Sequence, residues 1–330
     1  MATLKDVAKL ANCDVSTVSR ALNNTSYVHP DTKARILAAV KELSYKPNVL
    51  AQGLRQGKRH TIGVVVPRLS MTIFAEILQG IEEQARYLGY SILICNTEDD
   101  PETERECLNR LRNGFVDGII IAGTGKCGRL LRDIQVSGIA VIQIIRKQEK
   151  NISSVVADYE AGAYEAVQYL ADKGCREIGF INGPMSLATY HDRYQGYRKA
   201  IHEKGLKEIC SESMIPTNTF EYGLQCAEEL LDSNFALDAM IVAVDIQGIG
   251  AIRALKERGL LIPDDMKLVS LTGHSIGGML ETTMTSMEIP AHEMGRKAAG
   301  MVVEAVETKG RPQDISHLVF DPVLIERESS

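Results

Sequence analysis

Residues 4–23 read Leu4-Lys5-Asp6-Val7-Ala8-Lys9-Leu10-Ala11, then Asn12-Cys13-Asp14, then Val15-Ser16-Thr17-Val18-Ser19-Arg20-Ala21-Leu22-Asn23. Val7, Ala8 and Ala11 recur at the spacing that buries one face of a helix, and Val15, Val18 and Leu22 repeat that spacing in the next segment. Asn12, Cys13 and Asp14 between them are poor helix formers that suit a tight turn, while small Ala8 and Ala11 let the second helix approach closely. The pattern predicts a helix-turn-helix. Ser16, Thr17, Ser19, Arg20 and Asn23 then fall on the outer face of the second helix, short donors and acceptors plus one guanidinium, of the kind that reads base edges and phosphates in a major groove. A three-helix bundle with a merely solvated polar face is the alternative from this stretch alone.

Working outward, Asp31 to Leu43 forms a third amphipathic helix with Ile36, Leu37, Val40 and Leu43 on its core side and Pro30 before its first turn. Ser44-Tyr45-Lys46-Pro47-Asn48 punctuates the chain. The segment Val49 to Arg55 that follows has little to pack against and runs into the basic Gln56-Gly57-Lys58-Arg59-His60. A lone helix this short is marginal in water and needs a partner to form.

These residues resemble the LacI/GalR family of bacterial transcription regulators, whose members open with the "ATLKDVAKLA…VSTVSRALN" segment, continue through "ELSYKPN" and begin their core with "T.GVVVP". The resemblance runs the length of the chain and is most specific over residues 3–66. It implies an all-α helix-turn-helix head (1–46), a hinge helix and linker (47–60), and an α/β two-lobed, periplasmic-binding-protein-like core with parallel sheets (61–330). The first lobe is expected over about 61–158 and 287–317, the second over 159–286 and 318–330. It also implies operator contacts from Thr3, Val15, Ser16, Thr17, Ser19, Arg20, Asn23, Asn48, Ala51, Leu54 and Lys58, with Leu54 wedged into the minor groove. The implied partners are a palindromic operator, a second copy of the chain, and a small-molecule effector, a sugar or sugar phosphate, that changes operator affinity.

Charge fits that division. Residues 1–60 hold ten basic against four acidic side chains, a net of +6, which leaves −12 for the remainder of a chain whose total is −6. A basic end on an acidic body confines attraction for phosphates to the head. No charged-then-apolar leader precedes Thr3 and no apolar run approaches membrane-spanning length, so a cytoplasmic protein with no membrane association is expected. The seven cysteines form no CxxC pair and read as reduced thiols, with no metal site. The tail from Leu324 shows no heptads, which argues against tetramers built by a coiled coil.

From Thr61 the pattern alternates apolar strands, beginning with Ile62 to Pro67, with amphipathic helices, beginning with Phe74 to Ala85. A second series starts with the helix Ala161 to Lys173. Apolar runs separated by helices mean parallel sheets covered on both faces, and ligands bind such sheets beyond the carboxyl ends of the strands. In the resembled family those ends carry a stacking aromatic, an arginine before a Gly-Tyr pair and an aspartate. Here that gives Phe74, Arg193 and Asp245. The full implied effector set is Ile73, Phe74, Arg146, His191, Arg193, Phe220, Asp245, His274 and Ser275. Three of these have a structural alternative: Phe74 as plain core, Arg193 in a salt bridge, Asp245 as a helix cap.

Two departures bear on the ligand. Ile145-Arg146 stands where the family commonly has Asp-Arg, and Gly273-His274-Ser275-Ile276 where it has Gly-Phe-Asp-Asn. Two lost carboxylates beside Arg146, Arg193, His191 and His274 predict a positive pocket and an anionic effector. An unusual neutral sugar, a non-sugar metabolite and control by a partner protein are the alternatives, and activation rather than repression is a further one. An enzyme is not expected: there is no nucleophile elbow, P-loop or metal motif, no cofactor is implied, and Gly123-x-Gly125 is too short for a dinucleotide fingerprint.

Overall fold

The computed structural model describes residues 2–23, 26–45, 58–211, 219–233, 236–273, 275–308 and 314–330, the side chain of Asn23 excepted. The described chain forms two separate compact units, one through Arg59 and one from His60. The segment expected to be the hinge helix, with Asn48, Ala51 and Leu54, lies outside the described residues, as does His274.

In the first unit α1 (Leu4–Leu10), α2 (Val15–Asn23) and α3 (Pro30–Glu42) close on a core of Val7, Ala8, Ala11, Val18, Ala21, Ile36, Ala39 and Tyr45. Thr3 starts α1 with a reciprocal capping box: its backbone N–H and its hydroxyl both donate to Asp6 Oδ2 at 2.7 Å, and its hydroxyl accepts from the Asp6 N–H at 3.4 Å. These bonds hold the Asp6 carboxyl below its usual range. Asn12 ends α1 at φ 49°, a left-handed residue that Asn tolerates well. Pro30 at the first position of α3 has no N–H to leave unpaired.

The second unit has two six-stranded sheets. In the first, β1 (Thr61–Val66), β2 (Ser91–Asn96), β3 (Gly118–Ile121), β4 (Ala140–Ile144), β5 (Ser154–Ala157) and β11 (His317–Phe320) lie in the order β11-β5-β4-β3-β1-β2, all parallel, with Ile62 opposite both Ile92 and Gly118. The second sheet comprises β6 (Ile178–Ile181), β7 (Ile209–Ser211), β8 (Ala239–Val242), β9 (Lys267–Gly273), β10 (Thr285–Glu288) and β12 (Val323–Ile325), ordered β12-β10-β9-β8-β6-β7. Only β12, against β10, runs antiparallel there. Fully buried strands such as Ile178–Ile181 and Ala239–Val242 are the apolar runs that a sheet covered on both faces requires.

The chain passes between sheets three times, after β5, after β10 and on either side of Pro322, so each lobe is built from discontinuous sequence. The expected lobe limits need correcting here. β10 stays in the second sheet through Glu288, and β11, not the stretch up to 317 alone, belongs to the first. Strands of three or four residues carry too little period to fix such limits from sequence.

Helices α4 (Thr72–Tyr87), α5 (Pro101–Arg112), α6 (Gly128–Val136) and α11 (Ala291–Glu307) cover the first sheet, and α7 (Tyr159–Asp172), α8 (Ala188–Glu203), α9 (Phe220–Asp232) and α10 (Asp245–Glu257) the second. Close helix crossings are made by glycine. A Cβ on Gly250 would stand 2.2 Å from the Phe220 carbonyl oxygen, and one on Gly223 2.1 Å from that of Gln247. That contact draws the N-termini of α9 and α10 together at the edge of the cleft.

Candidate functional site

On the head, the outer face of α2 is formed as the sequence predicts. Ser16 and Arg20 are exposed, Thr17 and Ser19 partly so, and none of them belongs to the core. Val15 differs from the expected core role: at the first position of α2 it is 37% exposed, which leaves it on the same face as Ser16. Thr3 is engaged with Asp6, and Lys58 is half-buried in the first unit.

The second unit contains a cavity of about 330 Å³ between its lobes. The first lobe contributes Arg68 and the stretch from Ser70 to Ile73, from the loop after β1 and the first turn of α4. The second contributes Thr219, Phe220 and Glu221 from the start of α9, Val244 to Ile246 and Ile249 from the start of α10, Thr272 from the end of β9, and Ile276. Met71 packs against the hydrophobic cores of both lobes, so the walls meet at that side chain. Asp245 is buried and accepts from Ser270 Oγ at 2.7 Å. It opens α10 without capping it, since Val244 is the N-cap and makes no side-chain cap hydrogen bond.

Other expected effector residues stand elsewhere. Phe74, 2% exposed, belongs to the first-lobe core, because α4 starts at Thr72 and its helical turn carries the ring inward while Met71 and Ile73 face the cavity. His191 lies on the surface beside Asp192, 3.5 Å away, and Ser275 is exposed. Ile145 occupies a left-handed turn at φ 67°, closed by the Arg146 N–H donating to the Ile144 carbonyl at 2.7 Å. That turn aims Arg146 inward.

There Arg146 meets Asp99 in a buried two-pronged ion pair, Nη1 to Oδ1 at 2.5 Å and Nη2 to Oδ2 at 3.2 Å, with Nη1 also donating to the Gly123 carbonyl at 3.2 Å. In place of a carboxylate at 145, Arg146 has one 47 positions before it in the chain. Around the same loops, Glu104 is fully buried and takes the Thr124 N–H at 2.6 Å. Burial pushes its carboxyl above the ordinary value.

Arg193 is the counter-example. It is 4% exposed, donates from Nη2 to Thr272 Oγ1 at 2.6 Å, and no carboxylate among the described residues pairs with it. Its guanidinium lies between two rings, 4.7 Å from the centroid of Tyr159 and 5.4 Å from that of Tyr190. Burial pulls its pKa below the ordinary value. Of the described cations expected from sequence, Arg146 is paired and His191 is on the surface, which leaves Arg193 behind the cavity; Arg68, 4.0 Å from Glu98, lines it. Glu221 and Asp245 add negative charge to the lining.

Sequence reasoning did not find Asp99, Tyr159, Ile249, Thr272 or Ile276. Ile249 had a signal, one helical turn after Asp245, but Asp99 and Tyr159 reach the site only through the tertiary fold.

Residues 3–48 match the model for bacterial regulatory proteins of the lacI family, and residues 59–320 that for periplasmic binding proteins and the sugar binding domain of the LacI family. The chain belongs to the LacI family. Among curated relatives of this LacI-family chain, the HTH-type transcriptional regulator RegA of Clostridium saccharobutylicum is 31% identical over 333 residues, covering 100% of each chain. The ribose operon repressor of Halalkalibacterium halodurans is 29% identical, covering 100% of this chain and 97% of its own. Among solved structures, a complex of the transcriptional regulator CelR with cellobiose aligns over 100% of both chains, with a TM-score of 0.75 and 27% identity.

Proposed function

We propose that this LacI-family chain is a repressor that binds a roughly palindromic operator as a homodimer and releases or tightens its hold when a sugar enters the cleft between the lobes of its core. One observation carries the reading: a single chain joins a basic helix-turn-helix head, whose α2 leaves Ser16 and Arg20 exposed, to a two-lobed core with a cavity lined from both lobes. Bases need such exposed donors, and a cleft shared by two lobes couples ligand binding to their relative position.

Dimerisation is supported by the first lobe's edge. There Tyr87 is 83% exposed and Leu88 37% at the end of α4, with Leu93 at 40% and Ile94 at 42% on edge strand β2. An exposed apolar edge is a pairing surface for a second copy.

A neutral sugar is favoured over a sugar phosphate. Of the described cations that the sequence placed here, Arg193 alone lacks a carboxylate partner, while the cavity is lined by Asp245, Glu221 and Arg68, the last 4.0 Å from Glu98. The relatives' named sugars, ribose and cellobiose, are the first ligands to try. No described helix is long and apolar enough to cross a membrane, and no described cluster of His, Cys, Asp and Glu has the form of a metal site.

The test is selection of a binding sequence from random duplexes, then titration of selected and scrambled DNA at one fixed salt with and without each sugar. Selective binding that shifts with a sugar is expected. Equal affinity for both duplexes overturns the reading.

A further inference from the structure

Behind the cavity four buried polar atoms lack hydrogen-bond partners: Arg193 Nε, Tyr159 Oη, Asn182 Oδ1 and Gln247 Oε1. They come from four elements of the second lobe, and one side chain stands among them. Tyr190 is 2% exposed. Its ring lies 5.4 Å from the Arg193 guanidinium, and its Cε1 is 2.5 Å from where a Cβ on Gly183 would be. Its backbone carbonyl takes the Asn182 amide at 3.2 Å. Arg193 links this group to the cavity through Thr272, which lines it.

Buried polar groups are normally paired, so several orphans on neighbouring side chains linked to Tyr190 mark a place built for another occupant. The orphans also say what kind. Asn182 and Gln247 are fixed in orientation, because Asn182 Nδ2 donates to the Tyr190 carbonyl and Gln247 Nε2 to the Asn182 carbonyl at 3.3 Å, leaving both amide oxygens as acceptors. Arg193 Nε can only donate, and the Tyr159 hydroxyl can do either. Two acceptors beside two donors match hydroxyls, each of which donates and accepts. A phosphate offers acceptors alone and leaves the amide oxygens unmet.

Resting on the reading of the cleft as an effector site, we propose that Tyr190 plugs a polar subsite at the back of the cleft. The effector is a neutral polyhydroxylated ring that displaces the Tyr190 side chain and takes up Arg193, Tyr159, Asn182 and Gln247. The glycine at 183 is what allows the ring to lie there; any Cβ would clash with it. A plugged site binds with reduced apparent affinity, because part of the ligand's interaction opposes the closed state.

The full chain is compared as wild type, Tyr190→Ala and Tyr197→Ala. Tyr197 is the control: it is fully buried, and its hydroxyl bonds Ile178 and Ile209. Without ligand, Tyr190→Ala should lower the melting temperature by less than half as much as Tyr197→Ala, because water reaches atoms that the ring had left unpaired. Calorimetry with D-ribose, cellobiose and ribose 5-phosphate should show Tyr190→Ala binding a free sugar at least about 5-fold more tightly than wild type, which a merely structural tyrosine would not produce.

Equal thermal losses for the two variants, weaker sugar binding by Tyr190→Ala, or binding of none of the three probes by that variant each overturn the proposal. Tighter binding of ribose 5-phosphate than of ribose overturns the hydroxyl assignment. No DNA enters these measurements, so failure of operator binding would count against the repressor reading and leave this result to stand by itself.

Discussion

Replacing Asp99 with asparagine tests the claim that Arg146 is a strut and not a spare cation. The pair is almost dry: the Asp99 side chain is 1% exposed and that of Arg146 5%. Asparagine keeps the shape but removes the charge, so Arg146 would be left as a buried cation facing a neutral amide and the Gly123 carbonyl. Breaking one side of a buried pair costs about 3–5 kcal/mol, against roughly 0–1 kcal/mol for an exposed pair. At roughly 2–4 °C per kcal/mol for a unit of this size, the melting temperature should fall by roughly 6–20 °C. Thermal and urea unfolding followed by circular dichroism would measure it. The double variant Asp99→Leu with Arg146→Met should recover most of the loss, since removing both charges leaves no uncompensated ion. A loss below about 1 kcal/mol for Asp99→Asn, or a double variant no better than the single, would show that Arg146 is not held by Asp99.

On the head, Ser16→Ala and Arg20→Ala should each weaken binding to the selected operator by roughly 1–3 kcal/mol and leave unfolding of the chain unchanged, as gel-shift titration at fixed salt and calorimetry would show. At Glu104, burial raises the folded pKa above the ordinary 4.5, so this group's stabilising contribution is full below 4.5 and is lost as pH rises through the folded value. Glu104→Gln should therefore melt higher than wild type at pH 7, with the difference shrinking toward pH 4.5; a difference independent of pH would mean that the carboxyl does not titrate abnormally.

The sequence made the head legible because its evidence is local. Three helices, a turn and a capping box all lie within about forty residues, and the period of Val7, Ala8, Ala11 and Val18 is the core itself. The central strands were equally open, since Ile62–Val66 and Gly118–Ile121 are buried on both faces and therefore apolar throughout. The returning strands β10, β11 and β12 were not, because a strand of three or four residues whose partner lies far along the chain has no pattern of its own. Phe74 shows the limit at one residue. Beginning α4 at Thr72 instead of Phe74 turns that ring from the cleft to the core, and helix starts are the least certain part of a periodic reading.

Charge was the least legible property of the site. Counting residues at strand ends gave a surplus of cations, but a charge matters only after its partner is known. Asp99 lies in a different loop from Arg146, and Glu104 from Thr124, so neither pairing could be inferred from spacing. The same rule explains why Arg193 remains informative. It is buried, bonded at one end to Thr272, stacked between Tyr159 and Tyr190, and without a carboxylate. The rings give a cation partial compensation by facing it with their π-electrons, which lets an arginine stay dry without an acid beside it. A guanidinium stabilised in that way keeps its Nε–H free for an acceptor on a ligand, while Tyr159 and Thr272 hold its position when the Tyr190 ring moves aside. That arrangement favours recognition of a hydroxyl oxygen over capture of a charge.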